Sequence, residues 1–373
     1  PVPEPGVATV GDTSFDSLQA AVDAAAPGDV VRVRGRFDER VTVTTPNLTI
    51  AGPESEFALV HGDGTGDVLT IDAENVTVRR LWVRNSGSDT SENDAGVWIN
   101  GTGATVEDSR VTDVAFGVWV DGVDGARLAG NTIVGREAVR PLSYRGNGIQ
   151  LWRTEGTVLV DNHITDVRDG IYFSWATGVI ARGNTMWDLR YGVHFMYSDD
   201  ARLVDNVAFD NDVGYALMVS DRLELVDKVA FNNTGTSGHG ILLKEIDHTT
   251  LRGNDLVGNA QGLFVYNSVD NDIVDNLVLA NDVGVQLTAG SVEERVHGNS
   301  FVNNRQAVLA VVGEQVVWNG TDRGNYWTGA RTADVDNDGV SEIRHRPAGL
   351  AEHVVHTHPE AAAFSHGPAV DAV

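Results

Sequence analysis

The chain has 373 residues, 53 of them acidic against 27 basic, a formal net charge of −26, and no cysteine. That balance excludes a nucleic-acid surface, which needs a basic patch. The missing cysteine excludes disulfides and thiolate metal sites, and no apolar run approaches the ~20 residues of a membrane-spanning helix.

The first residues, Pro1-Val2-Pro3-Glu4-Pro5, lack a start methionine and read as a processing or cloning edge; residues 1–12 are expected to be a mobile lead-in. Phe15 to Ala25 reads as an amphipathic helix, with Leu18, Ala21, Val22 and Ala25 on one face. Pro27-Gly28-Asp29 ends it, and Val30, Val31 and Val33 begin the next element.

From there the chain repeats. Gly148, Gly170, Gly192 and Gly214 stand 22 residues apart, as do Gly240, Gly262 and Gly284. Each is followed by apolar-x-apolar, the period of a strand. Eight residues before these glycines stand Asn162, Asn184, Asn206, Asn254 and Asn276. A fixed period of this length means a solenoid. Three short strands and three turns fit one ~22-residue coil at a ~4.8 Å coil spacing. The reading is an all-β, right-handed parallel β-helix of the pectin-lyase-like kind, one domain over residues 13–345, capped by the N-terminal helix. The asparagines are expected to stack inward, each amide bonding the next coil. Lys228 stands where that ladder needs an asparagine.

The second and fourth residues after each glycine should point outward. They form a stripe that includes Trp152, Tyr172, His194, Met196, Met218, Lys244, Phe264 and Tyr266. With Tyr197 beside it, the stripe is a candidate docking face for a partner, built from Trp152, Tyr172, Tyr197, Lys244, Phe264 and Tyr266. Nine extra residues near Arg136–Arg145 and four near Gly235–Gly238 interrupt the period just before this strand and bracket the His194, Met196 and Met218 coils. Met196 and Met218 are equivalent positions one coil apart, with His194 on the same face; thioethers with an imidazole suit Cu(I). Flexible methionines packed under a loop or against a partner make the same pattern. Met186 falls in another register and reads as core.

Asp334-Val-Asp336-Asn-Asp338-Gly339 followed by Glu342 matches the first half of a calcium loop, without the bidentate acid at its twelfth position or a helix pair. A structural calcium staple and a solvated acidic turn both fit it. Residues 346–373 read as a tail, with His353, His356, His358 and His366. Five N-x-S/T sequons, at Asn47, Asn75, Asn100, Asn232 and Asn319, suit an exported protein. No catalytic residues stand out. Asp199-Asp200 and Glu293-Glu294 read as turn residues, and paired acids at a glycosidase separation are not visible.

The segments Gly192-Val-His-Phe-Met-Tyr-Ser198, Gly214-Tyr-Ala-Leu-Met218, Gly240-Ile-Leu-Leu-Lys244, Gly262-Leu-Phe-Val-Tyr-Asn-Ser268 and Asn325-Tyr-Trp327, in that order, resemble the NosD family. The resemblance covers most of the chain, most specifically from about Asn147 to Gly339. It implies an exported, non-enzymatic β-helix protein that serves the maturation of nitrous oxide reductase, a copper enzyme. It also implies partners: an ABC-type ATPase with its membrane permease, a copper chaperone and the apo-reductase. Met196, Met218 and Lys244 fall in the matching motifs. Lys228 and the strong acidity depart from the pattern, and the acidity suggests a salt-loving archaeon and the outer face of its cytoplasmic membrane. The alternatives are a carbohydrate-active β-helix enzyme, such as a polysaccharide lyase or epimerase, and an adhesive or structural β-helix.

Overall fold

The computed structural model describes residues 4–345, apart from residues 137, 140, 289, 311–315 and 321–322. The four tail histidines lie outside the described residues. The chain winds as a right-handed parallel β-helix of about thirteen coils. Each coil contributes a strand to each of three sheets, here called I, II and III in the order the chain meets them, with 14, 13 and 12 strands.

Alternation builds the core. In sheet III, Ile171 pairs with Val193, Val193 with Tyr215, Tyr215 with Ile241, and Ile241 with Leu263, each one coil on. These five residues are buried, as are Phe173, Phe195 and Leu217 two places further along their strands. Met186 lies in the core as expected. The glycine period has a steric cause. A Cβ on Gly170 would lie 2.4 Å from the carbonyl oxygen of Gly192, and one on Gly192 2.6 Å from that of Gly214. Successive coils approach too closely at this corner for any side chain.

Asparagines tie the coils together. The Nδ2 of Asn162 donates to Asn184 Oδ1 at 2.9 Å, and that of Asn184 to Asn206 Oδ1 at 2.8 Å. The same pattern links Asn254, Asn276, Asn299 and Asn325. A second ladder, not anticipated from the sequence, runs through Asn211, Asn233, Asn259, Asn281 and Asn304 at the corner between sheets II and III. Each amide satisfies a buried backbone group at a turn where strand pairing stops. Lys228 interrupts the first ladder. Its side chain is fully buried, and its Nζ has no hydrogen-bond partner among the described residues and lies 5.4 Å from the Tyr215 ring centre.

Helix α1 (Leu18–Ala24) buries Leu18, Ala21 and Val22 over the open end of the core. Ser17 caps it by accepting from the Ala20 N–H, and Glu39 accepts from Ser17 Oγ at 2.8 Å and from the Leu18 N–H at 2.6 Å. The segment expected as a lead-in is in part a strand. Val7–Val10 pairs antiparallel with Val30–Arg34 and with Thr13–Phe15, because Gly11, at φ 55°, turns the chain and Ala8 is buried. At the other end Trp327 stacks on Phe301 at 4.2 Å and covers the last coil.

Candidate functional site

The outer face of sheet III carries two columns. One runs Trp152, Ser174, Met196, Met218, Lys244 and Tyr266; the other runs Tyr172, His194, Ala216, Leu242 and Phe264, each residue paired with the next. Met196 and Met218 are direct cross-strand partners in adjacent coils, both half-buried. Their backbones are therefore about 4.8 Å apart, close enough for two thioethers to meet one ion.

His194 points outward but is not free. Its Nδ1 lies 3.1 Å from Asp169 Oδ2, and its ring packs 4.5 Å from Tyr172 and edge-on to Tyr191 at 5.0 Å. Asp169 has no exposed surface, and Arg190 holds it through two bonds of 2.8 and 2.5 Å. Burial by itself would raise the Asp169 carboxyl, but the hydrogen bonds from His194 and Arg190 outweigh it and hold the group below the usual carboxylate range. An ionised Asp169 fixes the proton of His194 on Nδ1, so Nε2 is the atom left to coordinate, the arrangement by which a carboxylate orients a histidine ligand.

The rest of the stripe is less exposed than alternation suggests. Ala216 and Leu242 are buried in a satellite cluster beneath Tyr191, Met218 and Phe264. Exposure is concentrated instead where the chain leaves sheet III. Trp175 (53% exposed) and Tyr197 (45%) stack at 4.8 Å beside the methionine column. Both are left-handed, at φ 56° and 55°, and Val219 follows one coil on at φ 51°. That conformation is uncommon for any residue but glycine and costly for a β-branched one.

Both bracketing insertions sit at the corner between sheets II and III. The longer carries the 3-10 turn Leu142–Tyr144 and lies over Ser86 and Gly87, whose carbonyls accept from Arg136. The shorter is held by Asp212, whose carboxylate accepts from the Ser237 N–H. Lys244 and Tyr266 are exposed at the far end of the face, and Trp152 is covered on one side by Arg153.

The acidic loop lies elsewhere, past the last coil. The carboxylates of Asp334, Asp336 and Asp338 lie within 4.8 Å of one another, all exposed. Glu342 turns to the Val335 N–H at 2.9 Å instead of joining them. Sequence reading missed three groups. Asp169 is visible there only as an acid in a column of other residue types, and Trp175 stands one coil before Tyr197 but outside the two outward columns. Glu294, taken for a turn residue, is buried with its carboxyl pushed up to about 8 by burial, despite hydrogen bonds from Asn271.

Residues 129–331 match the family model described as "Periplasmic copper-binding protein (NosD)". A protein of Pseudomonas aeruginosa, described as a probable ABC transporter binding protein NosD, is 34% identical over 98% of this chain and 87% of its own length. The chain belongs to the NosD family. A second NosD of the same description, from Stutzerimonas stutzeri, is 34% identical over 90% of this chain and 80% of its own. Among solved structures, a Yersinia enterocolitica family 28 exopolygalacturonase has a TM-score of 0.62 at 10% identity, covering 83% of this chain and 76% of that one. The periplasmic alginate epimerase AlgG has a TM-score of 0.53 at 15% identity, covering 83% and 82%. These neighbours are enzymes that share the β-helix with NosD; at such identities the likeness is one of fold alone.

Proposed function

We propose that this chain is an exported, non-catalytic accessory protein that takes up Cu(I) on the outer face of sheet III and passes it to, or holds it for, the apo-form of nitrous oxide reductase. In this reading a copper chaperone supplies the ion, and the protein docks with an ABC-type permease and its ATPase on the outer side of the cytoplasmic membrane. The observation that carries the reading is the pairing of Met196 with Met218 beside His194, whose Nδ1 is committed to Asp169. Two thioethers and one imidazole nitrogen are a soft donor set matched to Cu(I) and poor for hard cations. Copper here is cargo, and three ligands on an open sheet leave a side from which a partner's ligand can take it. Trp152, Tyr172, Tyr197, Lys244, Phe264 and Tyr266, with Trp175, form the surface on which that partner rests. The relatives' description as binding proteins of an ABC transporter supports the same reading.

An epimerase or lyase of uronic-acid polymers is the other use to which this fold is put. Asp169, the carboxylate beside the His194 column, has no exposed surface and is held by Arg190 and hydrogen-bonded to His194, so it is not available to a polymer substrate. Calcium is assigned a separate structural role at Asp334, Asp336 and Asp338, with Glu342, expected as a fourth ligand, committed instead to the loop backbone, and the high acid content a role in solubility at high salt.

The test is an anaerobic Cu(I) titration in competition with a chromogenic chelator. Wild type is expected to bind one ion per chain, and Met196→Ala/Met218→Ala to lose affinity at least a hundredfold. No binding by wild type, or equal binding by the double variant, refutes a metal site on this face.

A further inference from the structure

We propose that the outer face of sheet II, over its last six regular strands, docks an amphipathic helix of a partner protein whose apolar ridge is bordered by lysine or arginine. The face begins at Thr185–Trp187 and ends at Ser300–Val302, and in each three-residue strand the first and third residues point outward. That gives twelve outward positions. Nine are apolar, one is acidic, and none is basic. In a chain of net charge −26 such a run is unexpected. The same sheet carries Arg84, Arg110 and His163 outward in its earlier coils.

The apolar positions are continuous. Trp187, Phe209 and Phe231 stack in one column at 5.9 and 4.8 Å, with rings within 6° of parallel. Val207 and Val229 lie in the column beside them, and the strip continues through Leu277 and Leu279. Six strands span about 24 Å, the length of a helix of ~16 residues, and two columns match the width of a helix's apolar stripe. A contiguous apolar area of this extent marks an interaction surface.

Charge selects the occupant. Exposed Asp188 and Asp210 border one edge of the strip, and exposed Asp205 and Asp227 border the other. Lys228, the residue after Asp227, is buried and its amine has no hydrogen-bond partner among the described residues, so it does not offset them at the surface. A ridge flanked by basic residues meets apolar surface in the middle and opposite charge on both sides. A second copy of this chain would instead set two rows of aspartates against two more. The inference does not rest on the copper reading, because sheet II is a different face of the coil from Met196 and Met218.

The test uses the full chain and, as probe, a labelled synthetic helix of leucine and lysine with leucines on one face and lysines flanking them. Binding is read by fluorescence anisotropy. The expected result is saturable binding that Phe209→Ser/Phe231→Ser, and separately Val257→Asp, weakens at least tenfold, with the circular dichroism of each variant unchanged. A scrambled peptide of the same composition should bind at least tenfold more weakly. Equal binding of the scrambled peptide means bulk charge attraction and overturns the proposal, as does equal binding by both variants or no binding at all. Concentration-dependent dimerisation that the variants abolish, measured by sedimentation, overturns it in favour of a second copy.

Discussion

Lys228→Asn should stabilise this protein. In a regular coil Asn184 directs its N–H and its Nδ2 to Asn206 Oδ1, at 3.0 and 2.8 Å. Asn206 cannot repeat this, because a lysine side chain carries no acceptor; its Nδ2 keeps the regular bond to the Ala181 carbonyl and turns its other N–H to the carbonyl of Val204. An asparagine at 228 would accept both bonds from Asn206, one of them in place of the Val204 bond. It would donate two, one to Asn254 Oδ1, which already accepts from the residue 228 N–H at 3.0 Å, and one to the Leu203 carbonyl, the counterpart of Ala181 for Asn206; the net is three more bonds than wild type. Three bonds at about 1 kcal/mol net each give about 3 kcal/mol. Removing a buried amine with no partner adds about 1–3 kcal/mol. Against this, the shorter side chain gives up about two buried methylenes, at about 0.8 kcal/mol each. The net gain is about 3 kcal/mol. Burial holds the Lys228 amine well below its ordinary value. A depressed amine removes stability as the pH falls below the unfolded value, so the advantage of the variant should shrink toward pH 10.5 and grow below it. Urea unfolding at fixed high salt, followed by tryptophan fluorescence, measures the difference. Lys228→Met, which removes the amine and keeps the packing without restoring the ladder, should recover only the amine's share, about 1–3 kcal/mol. A Lys228→Asn protein no more stable than wild type at pH 7 would refute the argument, because it would mean that the methylene packing outweighs the ladder.

Two further predictions concern the last coils and the acidic loop that follows them. Burial raises the Glu294 carboxyl from 4.5 to about 8, so the folded protein binds a proton that the unfolded chain has released across that range. The stability this contributes is complete below pH 4.5 and falls as the pH rises, by roughly 5 kcal/mol at pH 8 if the whole shift is expressed. Glu294→Gln should flatten that slope, which urea midpoints at pH 5 and pH 8 would show; an unchanged slope places the proton elsewhere. Calcium should bind wild type with a heat that Asp336→Asn/Asp338→Asn removes in calorimetric titration. Equal heats in the two proteins would leave the loop a solvated turn.

The repeat itself was legible because a solenoid imposes one geometry many times. Gly170, Gly192 and Gly214 face the same backbone approach, so each coil repeats the same residue, and the spacing alone gives strands, coil length and the inward asparagine ladder. The helix over the open end was legible for the same kind of reason, since its apolar face is local. The second ladder, from Asn211 to Asn304, was equally periodic and was overlooked beside the glycines. The antiparallel strand Val7–Val10 was not legible, because nothing local distinguishes a paired edge from a loose terminus.

Sequence by itself determined the architecture and set Met196 opposite Met218, because parallel register in a period of 22 residues is arithmetic. Tertiary structure alone decided what each outward residue is free to do. It tied His194 to Asp169 from the preceding coil, buried Ala216 and Leu242 beneath their neighbours, and left Trp175 and Tyr197 exposed on left-handed turns. It also showed that Glu294 is an interior group and that the Lys228 amine finds no hydrogen-bond partner among the described residues. Period two assigns a side chain to a face, but burial and protonation depend on what the adjacent coils, the turns and the insertions place above that face, and those contacts are not local in the chain.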